Sequence, residues 1–318
     1  MHPYLKPIMK STLIHPRKRL VKRGTISIAV VESTPVVWHG KLLRFEWVRS
    51  NKWGRYEGWT LPEGCYHFVD MDTETETGER FAYDHSFGSA YVENDTMYVN
   101  GVRGGDGGTN IIDFFESKDL VNWELTDTLT LPEELNIYNT SCCKDDDGYL
   151  LAIEIGGTSE IVGRGFTIVF ARSKDLRNWE MMDMHKHVFD RERYTACPVI
   201  RYYDGFYYMI HLEGAPYYRF FPYIVRSKDL VEFEPGITNP IMFPGDEDKV
   251  IIRPERFTEE QIEYILSAAD SNNSDVDLCD YNGKTVIMYS WGGQSGKEFL
   301  AIADYDGTEK EFLQSFFP

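Results

Sequence analysis

The sequence lacks any run approaching the ~18 apolar residues of a membrane-spanning helix, and its first residues carry no apolar segment of the secretory type. A cytoplasmic protein that touches no membrane is the expectation. Cysteine is sparse. Cys65, Cys142, Cys143, Cys197 and Cys279 are odd in number and show no CxxC spacing, which argues against a zinc site or disulfide framework and for buried reduced thiols. Positive charge is in deficit: 51 acidic against 33 basic residues give a formal charge of -18, whose field repels nucleic acid and anionic lipid. The one basic run, residues 6–23 with Arg17, Lys18, Arg19, Lys22 and Arg23, reads as a solvated N-terminal strap. HExxH is missing, and His185 and His187 have no third zinc ligand beside them. The glycine-rich run from Arg103 to Gly108 fits neither a dinucleotide loop nor a P-loop, and reads as a flexible connection between two strands.

What the chain does have is a repeat. SKDLVNWE, SKDLRNWE and SKDLVEFE begin at Ser117, Ser173 and Ser227, a period of roughly 55 residues that suits one four-stranded propeller blade with its loops. Ahead of the second and third units lie a small-residue strand, a tight turn and an aromatic strand, in residues 139–154 with Asp147-Gly148 and 194–213 with Asp204-Gly205. The same grammar recurs in residues 33–47 with His39-Gly40, 88–103 with Asn94-Asp95 and 274–291 with Asn282-Gly283. The expected fold is therefore all-β: a single five-bladed β-propeller of four-stranded antiparallel blades, at about residues 33–86, 87–136, 137–192, 193–270 and 271–318. Third strands are read as FAYDH, NIIDFFES, FTIVFARS, PYIVRS and EFLAIAD. The last blade lacks an outer strand of its own, and TISIAVV, residues 25–31, is expected to supply it, leaving residues 1–24 as an extension. One helix is expected over residues 258–269 with Thr258 as its cap. Within SKDL, Ser and Asp are expected to bond nearby backbone, Leu to tuck under and the Trp or Phe to pack between blades. Three identical copies cannot share one active site, so the unit is structural.

A five-bladed ring with S-x-D-L-x-x-W units resembles the superfamily of glycoside hydrolase families 43 and 32, from about Ser33 to Ile302. The resemblance implies a sugar bound in the axial funnel and two carboxylates acting as general acid and as base or nucleophile, with a third tuning the acid. The chain departs from that pattern. The family 43 base is an Asp just before the Pro of the first inner strand, where Thr34 precedes Pro35; its acid is a Glu two residues before a Pro, where Ala196 precedes Cys197 and Pro198. Candidates must come from register instead. Counting six past each hairpin glycine puts Glu46, Glu154, His211 and Tyr289 at equivalent places on the second strands, with Glu213 and Trp291 two further on. Strand entries add Glu32, Asp275 and Asp277. Glu154 and Glu213 are the first choices for acid or base, Glu32 and Asp275 the second, and His211 is placed to tune them, because clustered carboxylates raise one another's pKa. Glu46, Tyr194, Tyr217, Tyr289 and Trp291 are read as sugar contacts, and Arg103, Arg193 and Arg219 as mouth residues for a carboxylate or phosphate. No cofactor is required; a calcium ion, if held, falls to Asn273, Asp275 and Asp277. The expected activity is removal of a terminal sugar, furanoside or related, from a short oligosaccharide. Phosphorolysis of the family 130 type, with His211 and Arg103 or Arg219 on the phosphate, and non-catalytic sugar binding are the alternatives.

Overall fold

The computed structural model describes residues 20–28, 30–48, 64–105, 108–293 and 297–318. They form a ring of five four-stranded antiparallel sheets. Blade 1 is β2 (Ser33–Trp38), β3 (Lys41–Val48), β4 (Cys65–Asp70) and β5 (Thr75–Phe81); blade 2 is β6 (His85–Glu93), β7 (Thr96–Arg103), β8 (Ile111–Ser117) and β9 (Glu124–Thr130). Blade 3 is β10 (Ile137–Asp145), β11 (Gly148–Ile155), β12 (Thr167–Ser173) and β13 (Trp179–Met181); blade 4 is β14 (Thr195–Tyr203), β15 (Phe206–Ala215), β16 (Arg219–Ser227) and β17 (Phe233–Pro235). Blade 5 is β18 (Asn272–Tyr281), β19 (Lys284–Gly293) and β20 (Lys297–Tyr305), and its outer strand is β1 (Leu20–Ile28) from the other end of the sequence. The expected closure by N-terminal sequence is what the structure shows, with other bounds: residues 20–24, expected as extension, belong to the strand, and Val30 and Val31 lie outside it. Pairing the first strand with the last covers the edge that β20 would otherwise expose and ties the two ends of the ring together.

The SKDL units turn β8, β12 and β16 back toward the outer strands, and the three copies share one geometry. Ser117, Ser173 and Ser227 each accept from the backbone N–H of Leu120, Leu176 and Leu230 at 2.9 Å. The aspartates Asp119, Asp175 and Asp229 accept from the next two backbone N–H groups, drawing their carboxyls below the usual range. That network holds each leucine at a positive φ, buried beneath its turn. The following aromatic reaches the preceding blade: Trp123 stacks on Phe81 at 3.6 Å, Trp179 on Phe114 at 5.0 Å, and Phe233 meets Phe189 edge-on at 4.7 Å. The expected helix is α1 (Glu259–Ser267), capped by Thr258 with a reciprocal bond from Gln261; α2 (Glu309–Gln314) follows β20.

Two expectations are corrected here. FAYDH is not the third strand of blade 1: Phe81 ends the outer strand β5, His85 opens β6, and the third strand is the wholly buried CYHFVD of β4. No SKDL unit follows β4 to mark it. Lys22 is not solvated either. Its ammonium is carried inside by β1 and donates to Asp248 at 2.6 Å and Asn273 at 2.8 Å. The rest of the basic strap before Leu20 lies outside the described residues.

Candidate active site

Inner strands ring the axis, and their ends set the register. They finish at Trp38, Glu93, Asp145, Tyr203 and Tyr281, and six residues back along each stand Glu32, Phe87, Asn139, Cys197 and Asp275. All five line one cavity of about 820 Å³ at the upper mouth. In β6, β10, β14 and β18 the ladder skips at this level, so that two residues oppose one on the neighbouring strand. Such bulges re-aim side chains. Phe87, Cys197 and Asp275 sit in them at φ of 53°, 48° and 47°, a left-handed backbone that costs an ordinary residue of order 1–3 kcal/mol. Below this level the axis narrows to about 30 Å³ beside Ser33, Gly88, Thr140, Pro198 and Val276. Further down, Arg201 of β14 donates to Asp277 at 2.8 Å, Glu309 at 3.0 Å and two backbone carbonyls. This satisfied ion cluster gives the funnel a floor.

The second-strand positions divide according to hairpin register. Lys41, Phe206 and Lys284 are the first paired residues after their turns, each one past the glycine, whereas in blade 3 Gly148 itself is the first paired residue. Counting six from the glycine therefore lands one place further along β11, and a one-residue offset exchanges the faces of a strand. Glu154 occupies the face that Leu212 has in blade 4, toward the cavity. Glu46, His211 and Tyr289 lie on the other face and do not line it. Glu46 is buried within blade 1 against Arg44 and His67, the latter at 2.8 Å. Tyr289 donates to Asp248 at 2.5 Å, and Trp291, 1% exposed, donates to Thr25 at 2.8 Å. These three belong to the blades' own polar interiors.

Glu154 is 2% exposed. One carboxylate oxygen accepts from the Cys197 backbone N–H at 2.8 Å and from Asn139 Nδ2 at 3.0 Å. Burial pushes its carboxyl up to about 7; those two hydrogen bonds oppose the shift, and the charges of Asp275 and Glu32 add to it. Glu213, on the cavity rim, is tuned the opposite way. Burial raises its carboxyl, but the hydrogen bond from His211 at 3.1 Å and the Arg193 guanidinium at 3.0 Å more than offset this and hold it low. His211 is 1% exposed and burial lowers its pKa, so it stands behind Glu213 as a neutral Nε2–H donor.

Of the remaining expected residues, Tyr194 lines the cavity. Arg103 does not: it makes a bidentate pair with Asp113 at 2.7 and 2.6 Å beside His85. Tyr217 is 93% exposed and stands outside the lining, where Tyr218 takes its place; Arg219 is exposed next to it. The three oxygens proposed for calcium do not converge. Asn273 bonds Lys22 and Asp248, Asp277 bonds Arg201, and only Asp275 faces the cavity. Sequence reasoning missed Phe87, Tyr138, Asn139, Phe166, Cys197 and Phe220. Counting back from the hairpins along the inner strands, rather than forward along the second strands, finds three of them.

Charge and aromatic surface are segregated. Glu32 of blade 1 with Asp275 and Glu298 of blade 5 make one wall. Facing it, rings run in contact from blade 2 to blade 4: Phe87 to Tyr138 at 5.0 Å, Tyr138 to Phe166 at 5.5 Å, Phe166 to Tyr194 at 5.0 Å and Tyr194 to Phe220 at 5.1 Å. A sugar ring has apolar C–H faces and polar edges, so such a slot stacks one and hydrogen-bonds the other.

No family model matches the sequence, and no curated protein matches it. Solved structures do match in fold. One described as a glycoside hydrolase aligns with a TM-score of 0.64 at 15% identity, over 97% of this chain and 97% of that one. An α-L-arabinofuranosidase from Fusarium graminearum, in complex with an iminosugar inhibitor, gives 0.57 at 12% identity over 88% and 97%. A family 32 β-fructofuranosidase from Bombyx mori gives 0.55 at 14% identity over 94% of this chain and 65% of that one. A family 43 protein from Bacillus licheniformis gives 0.56 at 13% identity over 90% of this chain and 55% of that one. The resemblance expected from the SKDL blades thus holds at the level of architecture: the chain has the five-bladed propeller fold seen in glycosidases of families 43 and 32.

Proposed function

We propose that the chain is a glycoside hydrolase that releases a terminal sugar, with Glu154 as general acid and Asp275, on the facing wall of the cavity, as the second carboxylate. The observation that carries this reading is Glu154 itself, a buried carboxyl whose pKa lies near 7 and whose neighbours across a closed-bottomed cavity are Asp275 and Glu32. Near neutral pH Glu154 holds a proton to give to the glycosidic oxygen as the bond breaks. Asp275 is the group placed to take the proton of the attacking water, or to meet the developing positive charge of the sugar ring. A floor closed by Arg201 suits a substrate entering end-on, and two of the structural neighbours, an arabinofuranosidase and a fructofuranosidase, are named for furanosides, while a third is named as a xylan β-1,4-xylosidase. The phosphorylase alternative loses two of its expected residues, since Arg103 is held by Asp113 and His211 is buried behind Glu213, and keeps only Arg219.

The test is a screen of nitrophenyl furanosides and short oligosaccharides, followed by substitution. Glu154→Gln lowers turnover of an unactivated oligosaccharide by about 10²–10⁴-fold and spares much of the activity on a nitrophenyl glycoside, whose leaving group needs no proton. Asp275→Asn lowers both. Equal losses on both substrates for Glu154→Gln remove it as the acid, and no cleavage of any glycoside removes the reading.

A further inference from the structure

We infer that the rim of blades 3 and 4 receives an oxyanion of the ligand, a sugar carboxylate or a phosphate, with Arg164 as its chief partner and Arg219 beside it. This deepens the sugar-cleaving reading of the same cavity and takes the ligand's identity as a sugar from it.

Arginine is otherwise spoken for in this molecule. Among the described residues Arg23, Arg44, Arg80, Arg103, Arg172, Arg177, Arg193, Arg201, Arg226, Arg253 and Arg256 are each paired with a carboxylate. Arg191 donates to three backbone carbonyls. Arg164 and Arg219 alone among them have neither a carboxylate nor a backbone carbonyl as side-chain partner, in a chain with 18 more acidic than basic charges. Both stand at the same mouth. Arg164 is exposed and lines the cavity; Arg219 is exposed between Tyr218 and Phe220, which line it too.

Both arginines are mounted on fixed backbone. The Arg164 N–H donates to the Arg191 carbonyl at 2.8 Å, and Ser159 and Gly163 exchange two backbone bonds just before it. Gly165, next along, packs so closely on Gly156 that a Cβ there would come within 2.0 Å of the Gly156 carbonyl oxygen. On the other side the Phe220 N–H donates to Asn272 at 2.7 Å. The contacts Phe166 to Tyr194 and Tyr194 to Phe220 tie the two mounts together. Arg193 lies between them, but Asp190 and Glu213 neutralise it.

A guanidinium is weakly hydrated and offers a planar fork that matches a carboxylate or phosphate. The net negative charge of the molecule opposes an anion at long range, yet that field is screened within ~10 Å at ordinary salt. Local contact with unpaired guanidinium groups then decides.

The experiment is calorimetric titration of the full chain with three probes: inorganic phosphate, digalacturonate and the neutral methyl ester of digalacturonate. One of the two anions binds at least about tenfold more tightly than the ester, and the Arg164→Ala/Arg219→Ala variant loses that preference by about tenfold to a hundredfold. Arg164→Lys recovers part of it, because charge survives and the fork does not. Preference for digalacturonate assigns the rim to a sugar carboxylate; phosphate that both binds and speeds sugar release assigns it to phosphate. If neither anion is preferred over the ester, or the double variant keeps the preference, the inference is overturned. The titration does not need turnover. A protein that cleaves no glycoside yet keeps the arginine-dependent preference sinks the hydrolase reading and leaves this one standing.

Discussion

Glu154 sits where a charge is hard to keep, and that has a consequence apart from catalysis. Its folded pKa is about 7 against about 4.5 for a free glutamate carboxyl. Between these values the native state binds more protons than the unfolded chain, so this group lowers stability progressively as pH rises from about 4.5 to 7, and above pH 7 the loss is complete. A shift of that size corresponds to about 3 kcal/mol. Glu154→Gln removes the titration and keeps an oxygen for the Cys197 N–H. Thermal melts at pH 5 and pH 8 check it: the variant gains on the wild type as pH increases, whereas a constant difference means that the carboxyl is not held neutral. The residue's type and neighbourhood were legible in the sequence, as an acid on a second strand among other acids. Its separation from Glu46, His211 and Tyr289 was not. That depended on whether a hairpin glycine sits in the turn or opens the strand, and Asp146-Asp147-Gly148 allows both.

At the scale of the element, the SKDL turn was readable because its chemistry is local. Ser and Asp bond backbone within three residues, so spacing alone reveals them. The third strand of blade 1 was unreadable for the converse reason: CYHFVD is buried on both faces and carries neither alternation nor a following marker. Bulges were equally silent, because Tyr-Asn, Cys-Pro and Asp-Val pairs share no composition, and only the axial packing reveals their common position. The structural role of SKDL makes its own prediction. Asp175→Ala takes the acceptor from two backbone N–H groups and costs about 1 kcal/mol in urea unfolding. Trp179→Ala empties the interblade contact with Phe114 and costs about 3–5 kcal/mol. Turnover per folded molecule stays unchanged in both, since neither residue lines the funnel. A loss of kcat in Asp175→Ala at unchanged stability contradicts the structural assignment.

At the scale of the whole molecule, the ring is held shut where β1 meets β20, and Lys22 is the pin. Its ammonium bonds Asp248 and Asn273, while Asp248 also accepts from Tyr289 and the Gly245 N–H, so strand β1 is tied at one point to β18, β19 and the segment before α1. That TISIAVV would close the last blade could be read from strand composition and a missing partner. That a lysine would be drawn inside to do it could not, because Asp248 lies 226 residues away. Asp248 is fully buried, and removing its cation leaves an uncompensated charge. Lys22→Met therefore costs about 3–5 kcal/mol, while Lys22→Met combined with Asp248→Asn costs clearly less, because the stranded charge goes with its partner. The loss is local before it is global. Hydrogen exchange in Lys22→Met speeds up first in β1 and β20, whose backbone bonds close the ring, and only later in blades 2 and 3. Uniform acceleration across all five blades, or a double variant no better than the single one, shows that closure does not hang on this pair.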